Sequence, residues 1–563
     1  MGRAAETAGI DFHGPLFDYV RSADQDAKRP VCHPVIVIGA GPVGLTAAID
    51  LARRNLPVVL LDDDDRLSTG SRAICFAKRT LEIWDRLGCG QPIAEKGVTW
   101  NIGRVFFRNE LVYTFNLLPD SGHRRPAFVN IQQYHVERFL VERARELPTL
   151  EIRWKNKVTA VRQNPDYVEL DVETPDGSYT LHCEWLVAAD GARSPVRKSL
   201  GLESKGRSFH DQFLIADVRM EADLPAERRF WFDPPFHPRQ SVLLHRQPDR
   251  LWRIDFQLGA DADPVTERQP ERVMPRVQAL LGPDARFELD WVSIYTFACL
   301  RMQRFRHGRV LFAGDAAHGV SPFGARGANG GVQDADNLAW KLALVLQGSA
   351  PDALLDSYDA ERIPAADENI LASTRSTDFI TPKNEASRAF RDATLELARD
   401  CDFARRLVNS GRLSLPSTYR NSPLNTPDND RFEGAMEPGA PAVDAPIRLE
   451  GRPDWFLGQT GDSFTGLYFG DGSKRDLDRL RAPYELRESS VPLRMLLIRP
   501  SGATGEIRGL NAVEDSEGLL TRRYDARRGT VYLLRPDQHV CGRWRRFDAD
   551  WVHAALMRAC ANA

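Results

Sequence analysis

Residues 35–44 read Val35-Ile36-Val37-Ile38-Gly39-Ala40-Gly41-Pro42-Val43-Gly44. The first four are apolar and β-branched, the composition of a strand buried on both faces. From Leu45 the apolar residues recur at helical spacing (Leu45, Ala48, Ile49, Ala52), so Gly39, Gly41, Pro42 and Gly44 fall in a strand-to-helix turn. A turn without Cβ atoms lets a pyrophosphate approach the backbone, and the helix N-terminus behind it offers free N–H groups. Val58-Val59-Leu60-Leu61 then reads as a second strand. It ends in Asp62, 23 positions after Gly39, about where a ribose hydroxyl needs an acceptor; Asp63 is the alternative, because the acids continue through Asp65. The same glycine spacing marks ordinary tight turns too, but strand, helix and distal acid together select a dinucleotide site.

Two later strand ends fit beside this one. Trp185-Leu186-Val187-Ala188-Ala189 runs into Asp190-Gly191-Ala192-Arg193-Ser194, and Val310-Leu311-Phe312-Ala313 stops at Gly314-Asp315. The loop from Pro322 to Gly331 leads into a helix with Ala335, Leu338, Ala339, Leu342, Ala343 and Leu346 on one face. Its first N–H groups, on Gly327, Ala328 and Asn329, suit developing negative charge. Between these strand ends, residues 157–161 and 168–172 alternate as short strands. Residues 240–246 and 251–258 read as a hairpin joined by Gln247-Pro248-Asp249-Arg250. It carries Trp252, Ile254 and Phe256 on one face and Arg253, Asp255 and Gln257 on the other.

Composition narrows the function. With 563 residues, 42% hydrophobic, and a formal net charge of −3, the chain can bury several cores and divides into about three domains. Arginine clusters such as Arg543-Trp544-Arg545-Arg546 alternate with acids and read as solvated faces, so no nucleic-acid partner is expected. The apolar stretch from Pro34 to Ala52 contains three glycines, Pro42 and Asp50 and reads as no membrane span. Residues 1–30 carry Asp11, Asp18, Asp24 and Asp26 rather than a basic start and an apolar core, which points to a cytoplasmic protein. The eight cysteines form no C-x-x-C pair, so neither a disulfide frame nor a metal site is expected.

The glycine loop, Asp190-Gly191 and Ala313-Gly314-Asp315-Ala316-Ala317-His318, in this order, resemble the three fingerprints of the FAD-dependent aromatic hydroxylases, the single-component flavoprotein monooxygenases. The resemblance is closest to the phenol hydroxylase and 3-(3-hydroxyphenyl)propionate hydroxylase branch. It implies that Arg72 reaches the FAD pyrophosphate and that Gln133 contacts the cofactor, with Gln132 beside it leaving the register open. It also places Val158 and Asp190 at the cofactor, Asp315 on the ribityl chain, and Pro322, Gly327, Ala328 and Asn329 around the flavin ring. His318 takes a structural part. Phenol hydroxylases carry a substrate-deprotonating aspartate two residues after the arginine; here that position is Ile74, so the base is not carried over. A comparable hairpin holds substrate in para-hydroxybenzoate hydroxylase, which makes His245, Arg246 and Tyr295 the substrate-side candidates.

The expected fold is mixed α/β: an N-terminal extension (1–30), a discontinuous Rossmann-like FAD-binding domain (31–204 and 301–414), an inserted β-sheet substrate domain (205–300), a linker (415–438) and a thioredoxin-like C-terminal domain (439–563). The last lacks redox cysteines, which leaves packing or homodimer formation as its use. The expected activity is hydroxylation of a phenolic compound by FAD, O2 and a transient NADH or NADPH, through a flavin C4a-hydroperoxide. A flavin-dependent halogenase and a non-catalytic redox sensor are the alternatives, and the W-x-W-x-I-P motif of such halogenases is missing.

Overall fold

The computed structural model describes residues 14–70, 73–222, 224–259, 261–408, 414–434, 436–485, 491–503 and 511–562. Val31–Ile38 forms the centre of the first sheet, and its last four residues are fully buried. Val58–Leu61 and Gly177–Ala188 flank it in parallel, with Leu150–Arg153 beyond the first and Val310–Phe312 beyond the second. Gly177–Ala188 has two tasks. Its whole length except the last five residues pairs antiparallel with the hairpin strand Val168–Thr174, while its end pairs parallel with the central strands. Register brings Leu61, Ile38, Ala188 and Phe312 level, so the turns that begin at Gly39, Asp190 and Gly314 emerge side by side. Open parallel sheets bind ligands at such carboxyl ends.

The second large sheet has seven strands in the order Glu288–Tyr295, Gln212–Arg219, Leu251–Leu258, Ser241–Arg246, Arg228–Phe232, Ile102–Phe107 and Glu110–Asn116. The last two come from outside 205–300. Ile102–Phe107 alternates half-buried and buried residues, a strand pattern, but its partner Arg228–Phe232 lies more than a hundred residues away. The substrate sheet is therefore wider than the expected segment and takes two strands from within 31–204. One face buries Leu214, Ala216, Val218, Trp252, Ile254 and Phe256 beneath the helix Pro270–Leu281. The other face is turned toward the helices Asp356–Ile380 and Glu385–Leu397 and toward Phe323.

The C-terminal unit has the thioredoxin arrangement. Phe464–Phe469, the helix Lys474–Glu485 and Leu493–Pro500 form a βαβ unit, and Val531–Leu534, Val540–Trp544 and Ala549–Ala559 follow as ββα. A seam of buried charge joins this unit to the rest. The helix Gly327–Leu346, expected to have one apolar face, is buried on nearly all sides, including Asp334, Asp336, Asn337 and Lys341. Glu361 receives Lys341 Nζ at 2.7 Å, Asn337 Nδ2 at 2.7 Å and Arg535 at 2.5 and 3.1 Å. Arg535 also holds Asp537 at 2.5 Å. Burial works against ionisation of Glu361, but Arg535 and Lys341 overcome it and hold the carboxyl well below the usual range. Removing one member of such a cluster leaves its partners charged in a low-dielectric interior. Glu361→Ala should therefore cost about 3–5 kcal/mol, read as a lower urea midpoint than in the wild type; an unchanged midpoint would show the cluster to be energetically neutral.

Candidate active site

At the first turn the three glycines do different things. A Cβ on Gly44 would lie 1.9 Å from the carbonyl oxygen of Gly39, and one on Gly39 would lie 2.6 Å from the carbonyl oxygen of Ala189. These two glycines let backbones touch. A Cβ on Gly41 would meet no atom of the described residues within 4 Å. Gly41 is the N-cap of Pro42–Arg53 with φ −72°, and no side chain caps that helix. Its open side is thus a place for something other than protein. On the other side of this helix, a cavity of about 410 Å³ lies between Arg53, Arg54, Trp340 and the C-terminal residues Phe464 and Pro536; it is an interdomain cleft apart from the glycine turn.

Asp62 caps the same turn, taking the Ala40 N–H at 2.5 Å and the Asp64 N–H at 2.9 Å. Burial pushes its carboxyl up to about 6 despite those bonds. Asp63 is exposed. The backbone of Asn156 donates to the Asp62 carbonyl at 2.8 Å, which brings the segment carrying Val158 alongside; the Val158 side chain itself is in the domain core. Gln133 opens the helix Gln133–Arg145, accepts the Ala73 N–H at 3.2 Å and donates to Ser68 Oγ at 3.0 Å. It fastens the 68–73 segment. Gln132 instead turns to the Pro248 carbonyl, 3.4 Å away. Arg72 lies outside the described residues.

Asp190 uses one carboxylate oxygen for Ser194 Oγ (2.8 Å) and the Val196 N–H (3.0 Å), while its other oxygen, Oδ1, is buried without a partner. Burial raises this carboxyl as well. Arg197 spans to the next turn, donating to the Ala316 carbonyl at 2.7 Å. In the third turn Asp315 is the exposed residue of an otherwise buried run from Leu311 to His318. Asp334 fixes that turn from behind: it takes the Gly314 N–H at 3.0 Å, His318 Nε2 at 2.7 Å and Arg362 Nε at 2.7 Å. His318 is thereby structural. Gly331 lets the helix Gly327–Leu346 approach the first one, since a Cβ there would lie 2.5 Å from Val43 Cγ2. Pro322 is exposed, and no side chain caps the helix that starts at Gly327. The Asn329 side chain is fully engaged within the protein, accepting from Ala77 N and Thr80 Oγ1 and donating to the carbonyls of Cys75 and Ala325. Only its backbone N–H is left for a ligand.

On the substrate sheet, strand alternation separates the candidates. His245 and Tyr295 share the face that looks toward Phe323. Arg246 is corrected: it is opposite Trp252 on the other face, exposed, with its guanidinium 5.9 Å from the Trp252 ring centre. His245 is buried, and burial followed by the charges of Arg228 and Arg253 holds its pKa well below 6.5. Burial, then the charge of Asp255, raises Tyr295 well above 10. The same face carries groups that no motif marks out. Arg253 holds Asp217 through a bidentate pair at 2.8 and 2.7 Å, and Asp255 and Arg228 lie beside it. A polar strand face reads as solvated, and its burial against a distant loop leaves no local signal. Aromatic rings close the space: Phe213 is 4.9 Å from Phe323 and 6.0 Å from Tyr295, and Phe297 is 5.8 Å from Phe323.

An open side at Gly41, an orphaned oxygen on Asp190 and an uncapped helix at Gly327 on one edge of a parallel sheet fit an extended dinucleotide such as FAD. Residues 33–373 match the family described as FAD binding domain, and the chain belongs to it. It is an FAD-dependent aromatic hydroxylase. The chain is 34% identical to a flavin-dependent monooxygenase of Mycobacteroides abscessus over 77% of its own length and 88% of that protein. It is 28% identical to 3-(3-hydroxy-phenyl)propionate/3-hydroxycinnamic acid hydroxylase of Mycolicibacterium smegmatis over 92% and 91%, and 32% identical to para-nitrophenol 4-monooxygenase of a Pseudomonas strain over 58% and 82%. In fold it matches the flavin-dependent monooxygenase PieE with a TM-score of 0.77 at 22% identity, over 95% of this chain and all of that one. Among the described residues no helix is long and apolar enough to cross a membrane.

Since Gly41 faces open space, Gly41→Val should fold with normal far-UV circular dichroism yet purify without flavin; flavin absorbance equal to wild type would refute the assignment of the turn. Asp315→Ala removes an exposed acceptor from the third turn, and a charge-assisted hydrogen bond is worth about 1.5–3 kcal/mol. FAD dissociation constants should rise roughly ten- to a hundred-fold, measured by fluorescence recovery of released flavin.

Proposed function

We propose that the protein hydroxylates a neutral phenolic ring, using NADH or NADPH as transient reductant and O2 as oxygen donor. The observation that carries this reading is the enclosed face of the substrate sheet. Phe213, Tyr295, Phe297 and Phe323 form walls for an aromatic ring, while Asp217, Arg253, Asp255 and Arg228 give one side of the same space polar groups. The names of the para-nitrophenol and hydroxyphenylpropionate relatives agree with a phenolic substrate.

In this reading the pyrophosphate lies against Gly39, Gly41, Pro42 and Gly44, with Asp62 or Asp63 as ribose acceptor. Gln133 holds the 68–73 segment in place, Val158 borders the ribose side, and Asp190 meets the cofactor through its orphaned oxygen. Asp315 faces the ribityl chain, and the N–H groups of Gly327, Ala328 and Asn329, next to Pro322, face the pyrimidine edge of the ring. A helix N-terminus stabilises negative charge there without reorganising. FAD, when bound, supplies the redox and oxygen chemistry; the chain binds, orients and keeps water out. Phe323 ties this cofactor loop to the substrate sheet, so ring and cofactor are enclosed by one apolar wall.

Stopped-flow reduction of the holoenzyme by NADH and by NADPH tests the reading, with hydroxyphenylpropionates, hydroxybenzoates, simple phenols and polycyclic phenols as effectors. At least one phenol should accelerate flavin reduction and gain one oxygen atom from labelled O2 by mass spectrometry. Reduction indifferent to every phenol, with hydrogen peroxide as sole product, would overturn it.

A further inference from the structure

We infer that Asp255 is the base that accepts the phenolic proton of the substrate. Its place on the sheet is the first argument. Along Leu251–Leu258 every residue is buried except Asp255, which keeps accessible surface. That surface belongs to the enclosed side of the sheet, because Asp255 pairs across the strands with Ile215 and Leu243 and alternates with Arg253, which is held against Asp217. A carboxylate with accessible surface on an enclosed face lines an internal cavity.

Elimination is the second argument. The oxygens of Asp217 are both taken by Arg253, at 2.8 and 2.7 Å. His245 is buried with its pKa held well below 6.5, which makes it a weak base. Tyr295 is raised above its ordinary value and stays protonated. Ile74 has no titratable group, and burial pushes the Cys75 thiol, which is close enough to feel the charge of Asp255, up to about 12. Asp255 remains. Burial pushes its carboxyl up to about 6, with Arg253 and Arg228 pulling down and Asp217 pushing up. A base poised near the working pH is the most effective.

Charge balance is the third argument and defines what enters. Arg253 and Arg228 oppose Asp217 and Asp255, so the floor of the cavity is electrically balanced before substrate arrives. When a phenol O–H bond breaks and its proton moves to an Asp255 oxygen, the negative charge passes from carboxylate to phenolate and the balance is kept. After oxygen transfer the displaced ring hydrogen leaves as a proton to solvent. Asp255 returns its own proton to the phenolic oxygen as the ring regains aromaticity. A phenolate arriving already ionised would add a charge to a buried site, so the neutral phenol is the species bound.

The inference rests on the phenolic reading above, and its test separates the two. The probe is 4-nitrophenol, whose phenolate absorbs in the visible, titrated into holoenzyme at pH values on either side of 6 and followed by difference absorbance. The wild type should show bound phenolate with a half-point below that of free 4-nitrophenol. Asp255→Asn should bind the phenol within a few-fold of wild type but show no phenolate at that half-point, and kcat for the phenol that best stimulates reduction should fall roughly 10²–10⁴-fold. Asp255→Glu should restore the phenolate signal with a displaced half-point. An Asp255→Asn enzyme with the wild-type phenolate profile would overturn the inference. If that variant loses its flavin, the wild-type titration decides, since a half-point equal to that of free 4-nitrophenol also overturns it. A wild type that binds 4-nitrophenol without ionising it does the same. If no phenol binds or stimulates reduction, the phenolic reading falls instead.

Discussion

Ile38, Ala188 and Phe312 lie abreast because three strands from distant parts of the chain share one parallel register, locked at its end by Ala189 N–H to the Ile38 carbonyl at 2.9 Å and Ala313 N–H to the Ala188 carbonyl at 3.0 Å. The turns that begin at Gly39, Asp190 and Gly314 hang from those ends. A register slip of one residue in Gly177–Ala188 would turn its side chains over and carry Asp190 away from the glycine turn. The turns need little further apparatus once they are level. Gly44 lets the first turn close on Gly39, Gly331 lets the two helices approach, and Arg197 and Asp334 stitch the second and third turns to their surroundings.

A second constraint is the placing of charge in the interior. Carboxylates occur there in two states. Asp334 and Glu361 are surrounded by arginine, lysine or histidine, and those partners outweigh burial so that both are held ionised. Asp62, Asp190 and Asp255 are left with less compensation, and burial raises all three. The first kind ties helices together. Of the second kind, Asp190 has an unsatisfied oxygen and Asp255 keeps accessible surface, and a ligand gains most where it supplies a missing partner.

Much of this was legible in the order of residues. The cofactor half follows from local patterns: a β-branched run, glycines, a helical repeat and an acid at the end of the next strand all lie within thirty residues. The substrate half is different. Alternation in Leu251–Leu258 correctly separated Arg253, Asp255 and Gln257 from Trp252, Ile254 and Phe256, but nothing local says that the polar side faces protein. That fact depends on Phe323 and the helices after Asp356, far along the chain. The same distance hid the pairing of Ile102–Phe107 with Arg228–Phe232. It also hid the charged face of Gly327–Leu346: Asp336 is met by Arg79 and Arg86, about two hundred and fifty residues earlier, and Asn337 reaches Asp537, two hundred residues later. Arg246 went astray for a simpler reason, since its neighbour His245 sits on the face that matters and alternation puts Arg246 on the other.

The late position of Arg535 bears on how the molecule is made. During synthesis the helices Gly327–Leu346 and Asp356–Ile380 leave the ribosome long before the C-terminal strands, carrying Lys341 and Glu361 into a space that Arg535 has not yet filled. Domains ordinarily fold as units from the N-terminal side. Here Lys341 and Glu361 can pair once both helices are out, but Arg535 and Asp537 close the cluster only when nearly the whole chain has emerged. The thioredoxin-like unit thus acts as the keystone of an arch whose other stones are laid first, its Arg535 closing a cluster that the rest of the chain leaves open.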